Sequence, residues 1–142
     1  MMTYTQWFEM HGDKHHLLTQ KLLSRKLSQD EIIKYFKFEN MVENEPDFCE
    51  LYKNKSKCHE MEDLNCYLCA CPNFRFTMKP VDEKGKLVHS HCSIESRDGA
   101  VFEHEGNIHQ DCSGCLVPHH ETYIAKNFDT SWKKIMNKCE ED

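Results

Sequence analysis

Cysteine and histidine residues are concentrated between Cys58 and His120. These 63 positions hold seven of the nine cysteines and seven of the ten histidines in the chain. Thiolates and imidazoles that recur every two or three residues are typical of metal sites, because a short loop can then direct successive side chains at one soft or borderline ion. The stretch therefore predicts a core that is folded around metal.

Two Cys-x-x-Cys motifs lie in this stretch, Cys66-x-x-Cys69 and Cys112-x-x-Cys115, and 43 residues separate them. Four thiolates from two such motifs can form a closed tetrahedral Zn²⁺ site. The residues outside the motifs are numerous enough for a second site. That second group is Cys58, Cys71, Cys92 and one of His59, His91, His109 or His119. The spacing leaves the pairing open, and two interleaved sites fit it equally well.

Two alternatives to structural zinc remain. An iron–sulfur cluster is one, because closely spaced cysteines followed by proline, as in Cys69-x-Cys71-Pro72, occur in cluster-binding loops. The spacing C-x₂-C-x₂-C is absent, however, and the many histidines favour zinc. A metalloenzyme with an open metal position is the other, with Glu60, Glu105 or Glu121 as its base. Exposed surface charge is the simpler account of these carboxylates, so no catalytic residue is assigned.

The order of the motifs resembles the bacterial and archaeal cysteine-rich small domain family, which is zinc-finger-like. The resemblance covers about residues 47–125 and rests on Cys58-His59, Asn65-Cys66-Tyr67-x-Cys69-x-Cys71-Pro72-x-Phe74 and Asp111-Cys112-Ser113-x-Cys115-x-x-Pro118-His119. It implies metal binding but no defined activity. The ligands that it implies are Cys58, Cys66, Cys69, Cys71, Cys92, Cys112, Cys115 and His119. His59, the neighbour of Cys58, completes the candidate ligands.

The composition argues against several classes of protein. A formal net charge of −6 disfavours a general nucleic-acid surface. No segment approaches the roughly 20 apolar residues that span a bilayer, and the first ten residues do not resemble a secretion signal. These features predict a cytosolic protein, in which clustered cysteines bind metal more often than they form disulfides. The hydrophobic fraction of 39% predicts a thin apolar core, for which metal ligation would compensate.

Residues 1–46 contain no cysteine and are predicted to form two short amphipathic helices. Ser28 and Glu31 form a capping-box signature at the start of the second helix, and Pro46 marks its end. The three histidines in this segment are interpreted as surface residues. They are His11, His15 and His16.

Five aromatic residues of the same segment exceed what so short a stretch can bury against itself. We expect some of their surface to cover the metal core and some to meet a partner protein. These residues are Trp7, Phe8, Tyr35, Phe36 and Phe38.

Loops, short hairpins and short helices are predicted for the rest of the chain. The expected elements are a charged loop over 47–62, strands over 74–78, 86–89 and 100–102, a helix over 119–126 that begins near Pro118, and a last helix capped within 129–131. Cys49 is interpreted equally as a small buried residue or a ligand, and Cys139 as a free thiol in a frayed acidic tail.

Together these features predict an α+β fold. We expect a small metal-centred cysteine-rich domain with short β-hairpins, preceded by N-terminal helices and followed by short C-terminal helices. The expected boundaries are 1–46 for the helical extension, 47–126 for the metal-binding domain and 127–142 for the last helix and acidic tail. The predicted protein binds Zn²⁺ at two structural sites. It acts as an interaction or regulatory module for an unknown protein partner, with no general nucleic-acid binding and no membrane.

Overall fold

The computed structural model describes residues 3–112 and 114–141 and has an α+β fold, with 38% helix and 22% strand. The predicted fold class is therefore confirmed. The helices are α1 (Tyr4–Ser24), α2 (Gln29–Tyr35), α3 (Phe38–Asn44), α4 (Glu121–Lys126) and α5 (Trp132–Ile135), and the strands are β1 (Phe74–Glu83), β2 (Lys86–Cys92), β3 (Ala100–His104) and β4 (Asn107–Asp111). Ser113 of the quoted motif and Asp142 of the predicted tail lie outside the described residues, as do Met1 and Met2.

The four strands form one mixed sheet in the order β1-β2-β4-β3. β1 and β2 form the antiparallel hairpin that was predicted from residues 74–78 and 86–89. β3 and β4 form a second antiparallel hairpin, whose second strand was not predicted. β2 and β4 pair in parallel and join the two hairpins. The beginning of β1 and the carboxyl ends of β2 and β4 consequently lie at the same end of the sheet, which we call the cysteine end, because Cys71, Cys92 and Cys112 lie there.

Helix α1 is longer than the short helix that the leucine pattern predicts, because a capping box begins it at Thr3. The Thr3 hydroxyl accepts a hydrogen bond from the Gln6 amide at 3.1 Å, and the Gln6 side chain accepts one from the Thr3 amide at 2.9 Å. The predicted capping box of Ser28 and Glu31 is confirmed at the start of α2.

We predicted one continuous helix from Ser28 to Pro46, and this is wrong, since α2 and α3 are separate. The backbone between them pairs with the segment that precedes the first cysteine motif. Phe38 donates its amide to the Leu64 carbonyl at 2.9 Å, and Cys66 donates its amide to the Phe36 carbonyl at 2.8 Å. These bonds divert the backbone from the helical pattern and attach the helical part of the fold to Cys66.

Buried residues from all parts of the chain form the hydrophobic core. Among its most buried members are Leu22, Phe36, Tyr67, Leu68 and Trp132. Part of the aromatic surface of the N-terminal segment is covered by the rest of the fold, as expected, since Phe8, Phe36 and Phe38 are buried. A partner protein for the remaining surface stays a prediction. Trp7 and Tyr35 pack half-buried against the same core. The domain boundaries stay a prediction.

The interpretation of the N-terminal histidines as surface residues is wrong for His11 and His15, which are 4% and 0% exposed, whereas His16 is exposed. Both lie on the buried face of α1 with Phe8 and Leu22. The ring of His15 donates its Nε2–H to the Tyr67 carbonyl at 3.0 Å. Burial lowers the pKa of His15 to about 3 and that of His11 to about 4, so both rings are neutral near pH 7.

The predicted frayed tail is also wrong. Cys139 is 0% exposed, and its carbonyl accepts the Phe76 amide at 2.8 Å. Glu141 returns a hydrogen bond to the Phe76 carbonyl at 2.7 Å, so the end of the chain runs beside β1. The nine cysteines all lie within the described residues, and each is a free thiol.

Two smaller differences concern irregular segments. The charged loop expected over 47–62 contains a 3₁₀ turn at Glu50–Asn54. The helix expected over 119–126 is divided into a 3₁₀ turn at Val117–His119 and α4, because His120 is extended with φ −84° and ψ 129°. Ser131 caps the last helix, within the expected range 129–131. Each helix within residues 3–112 and 114–141 is too short or too polar to cross a lipid bilayer.

Candidate metal centre

Cys58, His59 and His119 bring one ligand atom each to within 4.8 Å of the others. The His59 Nδ1 atom lies 3.1 Å from the Cys58 sulfur, and the His119 Nε2 atom lies 3.9 Å from it. No other three cysteine, histidine or acidic side chains come this close in the part of the chain that the structure describes. One thiol and two imidazoles at this separation could hold a metal ion, and Zn²⁺ accepts this ligand type.

The ring of His119 is oriented by the backbone. It donates its Nδ1–H to the Asn65 carbonyl at 2.9 Å, which leaves the Nε2 lone pair directed towards Cys58. Burial lowers the pKa of His119 to about 4, so the ring is neutral near pH 7. A histidine whose second nitrogen donates to a carbonyl is the usual arrangement for a metal ligand, because the hydrogen bond fixes the tautomer and the ring plane.

Asn65 holds this part of the centre in place, although the sequence analysis assigned it no role beyond the motif. It is fully buried, donates its side-chain amide to the Ile33 carbonyl at 2.7 Å and accepts the Tyr67 amide at 2.9 Å. Its backbone amide donates to the His119 carbonyl at 3.3 Å. One residue therefore connects α2, the first cysteine motif and the turn that carries His119.

His59 connects the group to the second cysteine motif. Its Nε2–H donates to the Cys112 carbonyl at 3.0 Å, which leaves the Nδ1 lone pair facing the Cys58 sulfur. The rings of His59 and His119 lie 4.7 Å apart between centroids. The two imidazoles are thus held by backbone carbonyls from different parts of the chain, with their free nitrogens towards one thiol.

The first Cys-x-x-Cys motif lies next to this group. The hydrogen bond between its two thiols lowers the pKa of Cys66 and raises that of Cys69, because the shared proton stays on Cys69. Partial burial raises the pKa of the Cys58 thiol to about 11, and the nearby Cys66 and Cys49 add to this. Cys66 and Cys69 are not members of the close group, although Cys66 is near enough to raise the pKa of Cys58.

The remaining four candidate ligands surround a cavity of about 250 Å³, which also borders His59 and His119. These residues are Cys71, Cys92, Cys112 and Cys115. Burial raises the pKa of Cys71 and of Cys112 to about 11, so both thiols keep their protons without metal. Of the nine predicted ligands, three form the close group, two lie beside it and four line the cavity.

The other histidines that the spacing left open lie elsewhere. His91 contacts the carboxylate of Glu141 at 2.9 Å, and His109 stacks on His89 at a centroid distance of 4.5 Å. The carboxylates considered as catalytic bases are also outside the close group. Glu60 and Glu105 are exposed.

Comparison of the chain with protein-family models, with curated proteins and with solved structures finds no match. The case for a function therefore depends on the geometry of the site, and the resemblance to the cysteine-rich small domain family stays a prediction.

Proposed function

We propose that this protein binds Zn²⁺ and that the ion has a structural role. The observation that carries the proposal is the convergence of Cys58, His59 and His119 within 4.8 Å. The first two lie in the polar segment before the first cysteine motif, and His119 lies in a 3₁₀ turn 61 residues from Cys58. An ion held by all three would join these distant segments. Because few apolar contacts can hold a polar segment, such a bond has a large effect on stability.

A fourth ligand from the Cys66-x-x-Cys69 motif would complete the tetrahedron. Four protein ligands make a closed, structural site, whereas three ligands and a water molecule make an open site that can support hydrolysis. Support for the closed site comes from the position of Cys66 and Cys69 beside Cys58. The proposed site is therefore structural and has no assigned catalytic group.

The wider role that we propose is that of a cytosolic protein-interaction or regulatory module. Exposed apolar side chains on the sheet support an interaction role. Val101 and Phe102 on the outer strand β3 are 67% and 55% exposed. Consecutive strand residues point to opposite faces, so the two side chains add exposed apolar surface to both faces of this outer strand.

Zinc content of anaerobically purified protein tests the metal assignment. His119→Ala is expected to lose zinc from this site and to weaken its affinity by more than the roughly 10–100-fold cost of an outer-shell change. His120→Ala is the matched control, because His120 is adjacent but exposed and should leave the zinc content unchanged. Affinity is measured by competition with a chromogenic chelator.

Several results would contradict the proposal. Equal zinc content in the two histidine variants would remove His119 from the site. Iron with an equal amount of acid-labile sulfide would indicate an iron–sulfur protein instead. A bound Co²⁺ probe with a displaceable water ligand beside Cys58 would favour the open, hydrolytic site over the closed one.

A further inference from the structure

The cysteine end of the sheet collects residues that are far apart in sequence. Cys71 lies three residues before the start of β1, Cys92 is the last residue of β2, and Cys112 directly follows β4. Because β1 runs antiparallel to β2 and β4 runs parallel to it, all three positions fall at the same end of neighbouring strands.

The offset between β2 and β4 places the ends of the two strands side by side. In the parallel pair, Leu87 is opposite Asn107 and Val88 is opposite Ile108. The hydrogen bond from the Gln110 amide to the Ser90 hydroxyl, at 2.8 Å, joins residues with the same offset of 20 beyond the last paired residues. Cys92 and Cys112 have this offset too, and both line one cavity.

Cys71 and Cys115 reach the same place by tight turns. Phe74 is the register partner of Cys92, and its amide donates to the Cys71 carbonyl at 3.0 Å. The turn that begins at Cys112 folds back on itself, since the Cys115 amide donates to the Cys112 carbonyl, also at 3.0 Å. Both turns direct the chain into the cavity that the four cysteines line.

Ser96 contacts two of the four sulfurs. Its backbone amide donates to the Cys92 sulfur at 3.4 Å, and its hydroxyl lies 3.3 Å from the Cys115 sulfur. Hydrogen bonds from amides and hydroxyls to sulfur are typical outer-shell contacts of metal–thiolate sites, because they stabilise the charge on the sulfur. Sequence spacing alone gave Ser96 no such role.

We propose that Cys71, Cys92, Cys112 and Cys115 form a second, four-thiolate zinc site at the cysteine end of the sheet. Zinc binding would release four thiol protons as four Zn–S bonds form, with the side chains closing inwards from the cavity wall. The inference extends the proposed function by dividing the candidate ligands between two ions. The two Cys-x-x-Cys motifs then belong to different sites, and the sites are interleaved along the chain.

Zinc counting in single variants tests this division. Wild type should hold two ions, Cys112→Ala one, Cys58→Ala one, and the double variant none. Cys139→Ala is the matched control: its thiol lies 3.5 Å from the Cys71 carbonyl but is outside the proposed four, so it should keep two ions. Loss of zinc from Cys58→Ala with none lost from Cys112→Ala would overturn the second site and leave the proposed function standing. Loss of zinc from Cys112→Ala with none lost from Cys58→Ala would contradict the proposed function and leave the second site standing.

A spectroscopic measurement covers the case in which Cys112→Ala fails to fold. Co²⁺ replaces Zn²⁺ in tetrahedral sites, and its sulfur-to-metal charge-transfer band grows with the number of thiolates. In Cys58→Ala, the remaining Co²⁺ should show a four-thiolate spectrum, and Cys112→His should keep the ion with a weaker band. A remaining ion with imidazole in its shell, or a disulfide between Cys92 and Cys112 in the anaerobic protein, would overturn the proposal.

Discussion

Asn65 is the residue on which the metal centre and the helical core both depend. Replacing it with alanine leaves the buried Tyr67 amide without its partner, whereas the Ile33 carbonyl still accepts the Phe36 amide at 3.1 Å. We expect Asn65→Ala to lower the free energy of unfolding by about 2 kcal/mol, because an orphaned buried group costs about 1–3 kcal/mol. Urea denaturation measures the change. The exposed Asn137→Ala should stay within about 0.5 kcal/mol of wild type, and an equal loss in both would contradict the assignment.

His15 should make stability depend on pH. Its folded-state pKa, about 3, lies below the value of about 6.5 in an unfolded chain, so the unfolded state binds the proton more readily. The stability contributed by the neutral ring is complete above about pH 6.5 and falls as the pH decreases from there towards 3. The expected loss between pH 7.5 and 5.5 is about 1 kcal/mol for this residue.

Comparison of two histidine variants separates the contribution of His15 to the pH dependence of stability from that of metal-ligand protonation. His15→Gln should reduce the difference in unfolding free energy between pH 7.5 and 5.5, whereas the exposed His16→Gln should leave it at the wild-type value. The readout is the urea midpoint at each pH. An unchanged difference in His15→Gln would show that the ring is protonated in the folded state as well.

Residue types and spacing were enough to find the candidate ligands, but they could not pair them. Cys58 and His119 meet because a 3₁₀ turn and the Asn65 carbonyl place the imidazole, and neither feature has a local sequence signal. The grouping of Cys92 with Cys112 that we propose rests on the offset between two parallel strands. That offset is set by tertiary contacts, so spacing along the chain does not reveal it.

At the scale of the elements, the start of α2 depends on its cap. The Ser28 hydroxyl accepts the Glu31 amide at 3.2 Å, and the Glu31 side chain accepts the Ser28 amide at 3.0 Å. Ser28→Ala should cost about 1 kcal/mol, because one amide of the first turn loses its partner. Ser28→Asn keeps an acceptor oxygen and should retain most of the stability. Thermal denaturation followed by circular dichroism compares them, and equal losses would rule out the capping contribution.

Elements with local signals were predicted well. Alternating residues located the hairpin of β1 and β2, and the Ser28 box located the start of α2, whereas β4 was missed. The equivalent box of Thr3 and Gln6 was available in the sequence and would have predicted the longer α1. The break between α2 and α3 has no such signal, because the backbone of Phe36 bonds to Cys66 and that of Phe38 bonds to Leu64, both far along the chain.

Over the whole molecule, apolar burial is distributed unevenly. The core draws mainly on the helices and on Leu64, Tyr67 and Leu68, whereas β3 is exposed along its whole length and β1 has a single buried residue, Phe76. A sheet with so little buried surface has few contacts to hold it, since stability scales with apolar area removed from water. At the cysteine end, the zinc site that we propose would take the place of hydrophobic packing.

Metal removal should consequently destabilise the two halves of the molecule unequally. Structural zinc contributes roughly 10–16 kcal/mol to small sites, as much as the whole stability of a typical domain. With a strong chelator, hydrogen exchange should become fast across β2 and β4 first, while the amides of α1 around Leu18 and Leu22 keep more protection, because these residues lie in the apolar core. A variant with both Cys58→Ala and Cys112→Ala should not respond to the chelator. Equal loss of protection in α1 and in the sheet would mean that the whole molecule unfolds as one cooperative unit without the metal. If removing zinc from the wild-type protein left its exchange pattern unchanged, a structural role for the ion would be contradicted.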